Sequence, residues 1–138
     1  MKPIPEKLAP GQSVGGGRYL LEKPGDRPGT WRAQDEIEEN LVLLKFLPRE
    51  LRQDVRGVDQ LRRAAEIAVE IEHPGFGRVV EFFEGDDGLP FVAVAPPEGQ
   101  TLTEWRKGLP GGVVTWKTLE PIALQLLDTL RFGHAKLL

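Results

Sequence analysis

Residues 41–47 read Leu-Val-Leu-Leu-Lys-Phe-Leu, a short run of β-type residues with one lysine, Lys45, near its end. Downstream, residues 58–72 carry apolar side chains at spacings of three and four, which predicts an amphipathic helix. Residues 73–75, His-Pro-Gly, predict the end of that helix. This order of strand, helix and helix stop predicts one helix inserted into a mostly β segment.

Working outward, four further β-type runs lie between clusters of turn-forming residues. Pro96-Pro97 ends the last run, because proline has no N–H to give to a neighbouring strand. Thr101 starts a capping pattern for a short helix near residues 103–107, and Thr118 is placed to cap a long amphipathic helix. We therefore predict an α+β fold: a five-stranded antiparallel sheet with one inserted helix, followed by one short and one long helix. The predicted strands are residues 18–23, 30–37, 41–47, 78–84 and 89–95.

Composition excludes several classes of protein. The chain has 138 residues, which suits a single domain, and its net charge of −3 disfavours a nucleic-acid-binding protein. The absence of cysteine excludes disulfides and thiol catalysis, and two histidines alone cannot build a metal site. No apolar run reaches the ~18 residues of a membrane span, and the N-terminus lacks a signal peptide core. We expect a cytoplasmic domain with no nucleic-acid or membrane partner.

The same patterns divide the chain into three segments. Residues 1–17 are rich in Pro and Gly and have few apolar residues, so we predict a flexible lead-in. Residues 18–95 hold the sheet and its inserted helix, and residues 96–138 hold the last two helices. The acidic cluster from Asp35 to Glu39 is expected to lie in a solvated turn, because no calcium-loop spacing accompanies it.

In element order and local motifs, the chain resembles the small lobe of a protein kinase, especially of the bacterial Ser/Thr type. Residues 42–45, Val-Leu-Leu-Lys, are similar to the kinase strand whose lysine contacts the ATP phosphates. The resemblance therefore assigns that role to Lys45. It also implies that residues 18–95 are a kinase-like small lobe and that residues 96–138 are the hinge and first helices of a truncated large lobe.

The glycine-rich loop of the family is degenerate in this chain. Residues 25–35 are similar to a shortened phosphate loop and its return strand, in which Gly25 and Gly29 are present. Arg27-Pro28 adds a side chain and removes an N–H where the family's backbone approaches the phosphates most closely. A hairpin turn with no ligand is the alternative interpretation of this segment.

The inserted helix lacks the family's carboxylate at the matching position. The kinase glutamate that holds the lysine lies nine residues before the histidine of the His-Pro pair, and that count leads from His73 to Ala64. We place Ala64 on the inward face with Leu61 and Ala68. Glu66 lies about 200° around the helix from Ala64, so it is expected on a solvated face.

The hinge departs from the family as well. The resemblance makes Val94 the gatekeeper and Ala95 the first hinge residue. The third hinge position, whose N–H bonds to adenine in the family, falls on Pro97, which has no hydrogen to donate. An unpaired adenine acceptor in a dry slot costs about 1–3 kcal/mol.

These departures lead to two hypotheses of function and a third from outside the family. The first is a non-catalytic, pseudokinase module that works in signalling through protein contacts, needs no cofactor and keeps a vestigial nucleotide cleft. That cleft would comprise Gly25, Gly29, Lys45, Val94 and Ala95. The second is the N-terminal fragment of a longer Ser/Thr kinase that uses ATP with magnesium. The third is a β-rich binding domain whose likeness to kinases is accidental.

The 138-residue chain by itself is not expected to be an enzyme, because the catalytic loop and the metal-binding motif of kinases are absent from it. The last helix carries an apolar stripe that cannot comfortably face water. We therefore expect the chain to associate with itself, by stacking or exchanging this helix. The stripe comprises Leu119, Ile122, Leu126, Leu127 and Leu130.

Overall fold

A computed structural model describes residues 8–84 and 89–137. Within these residues the fold is α+β and contains one antiparallel sheet in the strand order β1-β2-β3-β4-β6-β5. The sheet has six strands, not the five that we predicted. They are β1 (Ser13–Val14), β2 (Tyr19–Pro24), β3 (Thr30–Asp35), β4 (Asn40–Phe46), β5 (Val79–Phe83) and β6 (Phe91–Val94).

The additional strand, β1, lies within the segment that we predicted as a flexible lead-in. Ser13 pairs with Leu20 and Val14 with Tyr19 at the edge of the sheet. Val14 is only 3% exposed and Leu8 packs against the same core, so two apolar side chains help to hold this segment on the sheet. The sequence criterion, a shortage of apolar residues, missed it for that reason. Residues 1–7 and the turn predicted at 85–88 lie outside the described residues.

Alternate residues of the central strands build the core. Val42, Leu44 and Ala93 are at most 2% exposed, whereas the residues between them are half-buried or exposed, as the two-residue period of a strand requires. Aromatic rings complete the cluster, with Phe91 edge-on to Tyr19 at 5.5 Å between centroids. The core therefore lies on one face of the sheet. On the opposite face, the side chains of the central strands are half-buried or exposed.

The inserted helix, α1 (Val55–Val69), begins and ends three residues earlier than predicted. It packs against β5, and its buried side chains are Val58 and Ala65. Its C-terminal end, at Val69, precedes the His-Pro-Gly sequence, which therefore belongs to the connection and not to the helix stop itself.

The described residues group into two compact units. One comprises those of Met1–Glu70 and Gly77–Pro96, and the other those of Ile71–Phe76 and Pro97–Leu138. The second unit therefore includes the segment Ile71–Phe76, which we had assigned to the predicted small lobe.

The second unit contains the predicted short and long helices. In α2 (Leu102–Lys107), Thr101 accepts a hydrogen bond from the Glu104 N–H at 3.1 Å, as the capping pattern predicted. The long helix, α3 (Trp116–Leu137), begins two residues before Thr118, so the cap predicted there is wrong. Thr115 precedes the helix, and its hydroxyl bonds to the Thr118 hydroxyl at 2.8 Å. No helix among the described residues is long and apolar enough to span a membrane.

The segment Ile71–Phe76 packs against α3. The His73 ring lies 4.7 Å from the Phe132 ring, and its Nε2 approaches the Asp128 carboxylate at 3.4 Å. His73 Nδ1 accepts a hydrogen bond from the Gly75 N–H at 2.9 Å. His73 is thus a structural residue of the second unit, in the connection after α1.

Candidate functional site

Lys45 and Val94, two of the predicted cleft residues, lie on the face of the sheet opposite the core. In the β4–β6 pairing, Lys45 is opposite Val92 and Leu43 is opposite Val94. Directly paired residues project to the same face of a sheet, so these four side chains form one surface, which we call the lysine face. It alternates with the buried residues Leu44 and Ala93 of the same strands.

The predicted phosphate loop forms a closed hairpin turn between β2 and β3. The Gly25 N–H donates to the Thr30 carbonyl at 2.8 Å, and the Thr30 hydroxyl donates to the Arg27 carbonyl at 2.6 Å. A Cβ at Gly25 would lie 2.3 Å from the Thr30 hydroxyl oxygen and 3.4 Å from the Leu43 side chain. Gly25 is therefore needed for turn closure beside the lysine face, and its N–H is already used.

Gly29 ends this turn in a conformation that favours glycine. Its φ is +78°, in the left-handed region, and its carbonyl accepts a hydrogen bond from the Phe46 N–H at 2.9 Å. This bond joins the turn to the end of β4, next to Lys45. The structure thus brings Gly25, Gly29 and Lys45 together along one edge of the lysine face.

Lys45 has no carboxylate partner in the described part of the chain. Its residue is exposed, and no acidic oxygen lies within ion-pairing distance of its ammonium group. Ala64, the position that the kinase pattern gives to the pairing glutamate, is also exposed, and Ala65 is buried instead. Our placement of Ala64 on the inward face is therefore wrong by one residue, or about 100° of helix rotation.

Arg62 on α1 links the helix to Glu84, the residue that follows β5. Its guanidinium pairs with Asp59 at 2.9 Å and with Glu84, and it lies 6.0 Å from the centroid of the Phe82 ring. Arg62, Phe82 and Glu84 border a groove of about 580 Å³ between α1 and β5. In the kinase pattern, a carboxylate on the helix pairs with a cation on a strand. Here the helix residue is the cation, Arg62, and the carboxylate belongs to Glu84.

The start of the predicted hinge is held by a backbone bond within the first unit. The Ala95 N–H donates to the Arg78 carbonyl at 2.8 Å, immediately after Val94 pairs with both Leu43 and Val79. Ala95 is half-buried. The two prolines that follow have no N–H, so the next backbone donor along the chain belongs to Glu98.

A buried ionic network that the sequence did not reveal lies near Ala95, at the end of the β3–β4 pair away from Lys45. Arg18 grips Asp35 through two hydrogen bonds of 3.0 and 2.8 Å, and the Asp35 residue is 0% exposed. Asp35 Oδ1 also accepts the N–H groups of Ile37 and Glu38 at 3.0 and 3.2 Å. The hydrogen bonds from Arg18 hold the pKa of Asp35 below its usual value, against burial, which raises it. We had predicted Asp35 to lie in a solvated turn, and that prediction is wrong because the residue is buried.

Tyr19 extends this network. Its hydroxyl donates to the Glu81 carboxylate at 2.6 Å, and Glu81 also lies 3.6 Å from the Arg18 guanidinium. Burial, together with the hydrogen bond to Glu81, raises the pKa of Tyr19 well above its ordinary value of 10. Four charged or polar side chains from β2, β3, β5 and the turn before β2 are therefore tied together.

We expect alkaline pH to destabilise the chain through Tyr19. A raised pKa means that the neutral phenol stabilises the fold below the unfolded pKa of about 10 and that this stability is lost progressively as the pH rises above that value. Since Tyr19 is the only tyrosine, tyrosinate absorbance reports on this group alone. The absorbance should rise only as the protein unfolds, and Tyr19→Phe should flatten the dependence of stability on pH between about 9 and 12. Titration at the ordinary value in the folded protein would contradict this expectation.

Comparison with known proteins identifies the architecture. No family model matches the chain. The serine/threonine-protein kinase pkn3 of Myxococcus xanthus is 33% identical over 72 residues, which are 52% of this chain and 13% of that protein. Two crystal structures of the Mycobacterium tuberculosis PknI kinase domain match with TM-scores of 0.79 and 0.77 at 19% and 20% identity, and each match covers 94% of this chain and 52% of that chain.

The chain therefore has a bacterial protein kinase-like fold, with the α+β arrangement of a kinase small lobe, as the resemblance implied. It spans about half the length of the solved kinase domains that it matches and a smaller share of pkn3. It thus corresponds to part of a kinase domain. The accidental likeness that we had kept as a third hypothesis is wrong.

Proposed function

We propose that this chain is a non-catalytic, pseudokinase-type module that acts through protein contacts and has lost productive ATP binding. The observation that carries the proposal is the state of Lys45. It stands exposed on the lysine face without a carboxylate in the described residues, while α1 is joined to the sheet through Arg62 and Glu84. Kinases need the lysine held by the helix glutamate so that it can reach the ATP phosphates.

The turn beside Lys45 supports the proposal. A phosphate-binding loop must present unpaired N–H groups, whereas the Gly25 N–H is bonded to Thr30 and Pro28 has none. The Arg27 side chain is exposed and would supply only a mobile charge to a phosphate. These two features support the loss of a backbone cradle for phosphate at this turn.

The hinge supports the same proposal through adenine recognition. Pro97 occupies the position whose N–H would bond to adenine, and the Ala95 N–H is engaged by Arg78. An adenine acceptor left unpaired lowers affinity by roughly ten- to a hundredfold. Combined with the unpartnered lysine, this loss removes specific contacts at both ends of the nucleotide.

A nucleotide titration tests the proposal. A ligand present at about 100 times its Kd stabilises a fold by about 2.7 kcal/mol, so 5 mM MgATP would reveal a Kd of about 50 µM as a clear rise in melting temperature. We expect no such rise, and Lys45→Ala should melt like the wild type. Lys23→Ala, which removes another exposed strand lysine, serves as the matched control. Micromolar binding of ATP that is abolished by Lys45→Ala but not by Lys23→Ala would overturn the proposal.

A second candidate is the N-terminal part of a longer Ser/Thr kinase that transfers phosphate from ATP. The partial coverage of the PknI kinase domains, about half of each, favours keeping it. The encoding gene distinguishes the two candidates. Codons for His-Arg-Asp and Asp-Phe-Gly downstream of position 138, with phosphotransfer by the longer product, would support an enzyme. Degenerate versions of those motifs, or a stop codon, would support the non-catalytic module.

A further inference from the structure

We draw no further inference here: the strongest candidate, the groove between α1 and β5 that is bordered by Glu66, Glu70, Glu81 and Glu84, carries nothing, because it is an acidic cluster and nothing in the described part of the chain shows what covers it.

Discussion

Asp35→Ala should lower the free energy of unfolding by about 3–5 kcal/mol, the largest effect that we expect from any single substitution in the first unit. The Asp35 side chain is 1% exposed and holds both the Arg18 guanidinium and two backbone N–H groups. Its removal leaves two backbone donors and the Arg18 guanidinium, whose side chain is only 21% exposed, without their acceptor. The loss is therefore larger than the Coulombic value of an exposed ion pair.

Urea denaturation followed by circular dichroism measures this effect as a shift of the midpoint at constant slope. Asp26→Asn is the matched control, because Asp26 is exposed in the β2–β3 turn and should change stability by no more than about 0.5 kcal/mol. A loss below about 1 kcal/mol for Asp35→Ala would mean that the network is as weak as an exposed surface pair.

The regular elements were predictable from the sequence because their signals are local. The run of β-type residues at 41–47 and the three- and four-residue spacing before His73 each depend on neighbours along the chain. The rotation of α1 was not predictable to one residue. Ala64 and Ala65 are chemically identical, and only packing against β5 decides which of them is buried.

The ionic network of Arg18 and Asp35 shows more clearly that contacts between residues far apart in the sequence could not be predicted. Arg18 and Asp35 are 17 residues apart, and Asp35 stands at the start of an acidic run that resembles any solvated turn. Nothing local distinguishes Asp35 from Glu36 or Glu38. The register of β2 against β3, in which Tyr19 lies opposite Asp35, brings Arg18 close to the carboxylate. One pattern could have suggested the Arg18–Asp35 pair. The strand β2 follows Arg18 and begins at Tyr19, and the neighbouring strand β3 ends at Asp35.

In the candidate site, too, features that depend on neighbouring residues could be predicted, and contacts between distant residues could not. Motif spacing predicted a turn at residues 25–29 next to the strand that carries Lys45, and the turn does lie there, because turn residues are a local signal. It could not predict that Arg62 would take the place of a helix carboxylate in joining α1 to the sheet. That outcome depends on the position of Glu84, which directly follows β5 and lies 22 residues further along the chain than Arg62.

Gly75→Ala should destabilise the second unit by about 1–3 kcal/mol through overpacking against α3. A Cβ at Gly75 would lie 1.9 Å from the Thr129 hydroxyl oxygen and 2.7 Å from its methyl group. Thr129 cannot turn away easily, because its hydroxyl donates to the Gln125 carbonyl at 2.9 Å and the residue is 8% exposed. The segment Ile71–Phe76 must therefore shift, and the contact between the His73 and Phe132 rings is lost with it.

Gly77→Ala provides the contrast two residues away, since a Cβ there meets nothing within 4 Å. Because alanine restricts the unfolded chain, this control should be neutral or stabilising by up to about 1 kcal/mol, opposite in sign to Gly75→Ala. The chain has only two histidines, so the imidazole signals in NMR spectra report directly on whether the His73 ring still contacts Phe132. Thr129→Ala should recover part of the loss in the Gly75→Ala background, because it removes the two nearest atoms. Equal stability of Gly75→Ala and Gly77→Ala, with unchanged His73 signals, would show that the connection after α1 is not held against α3 in this way.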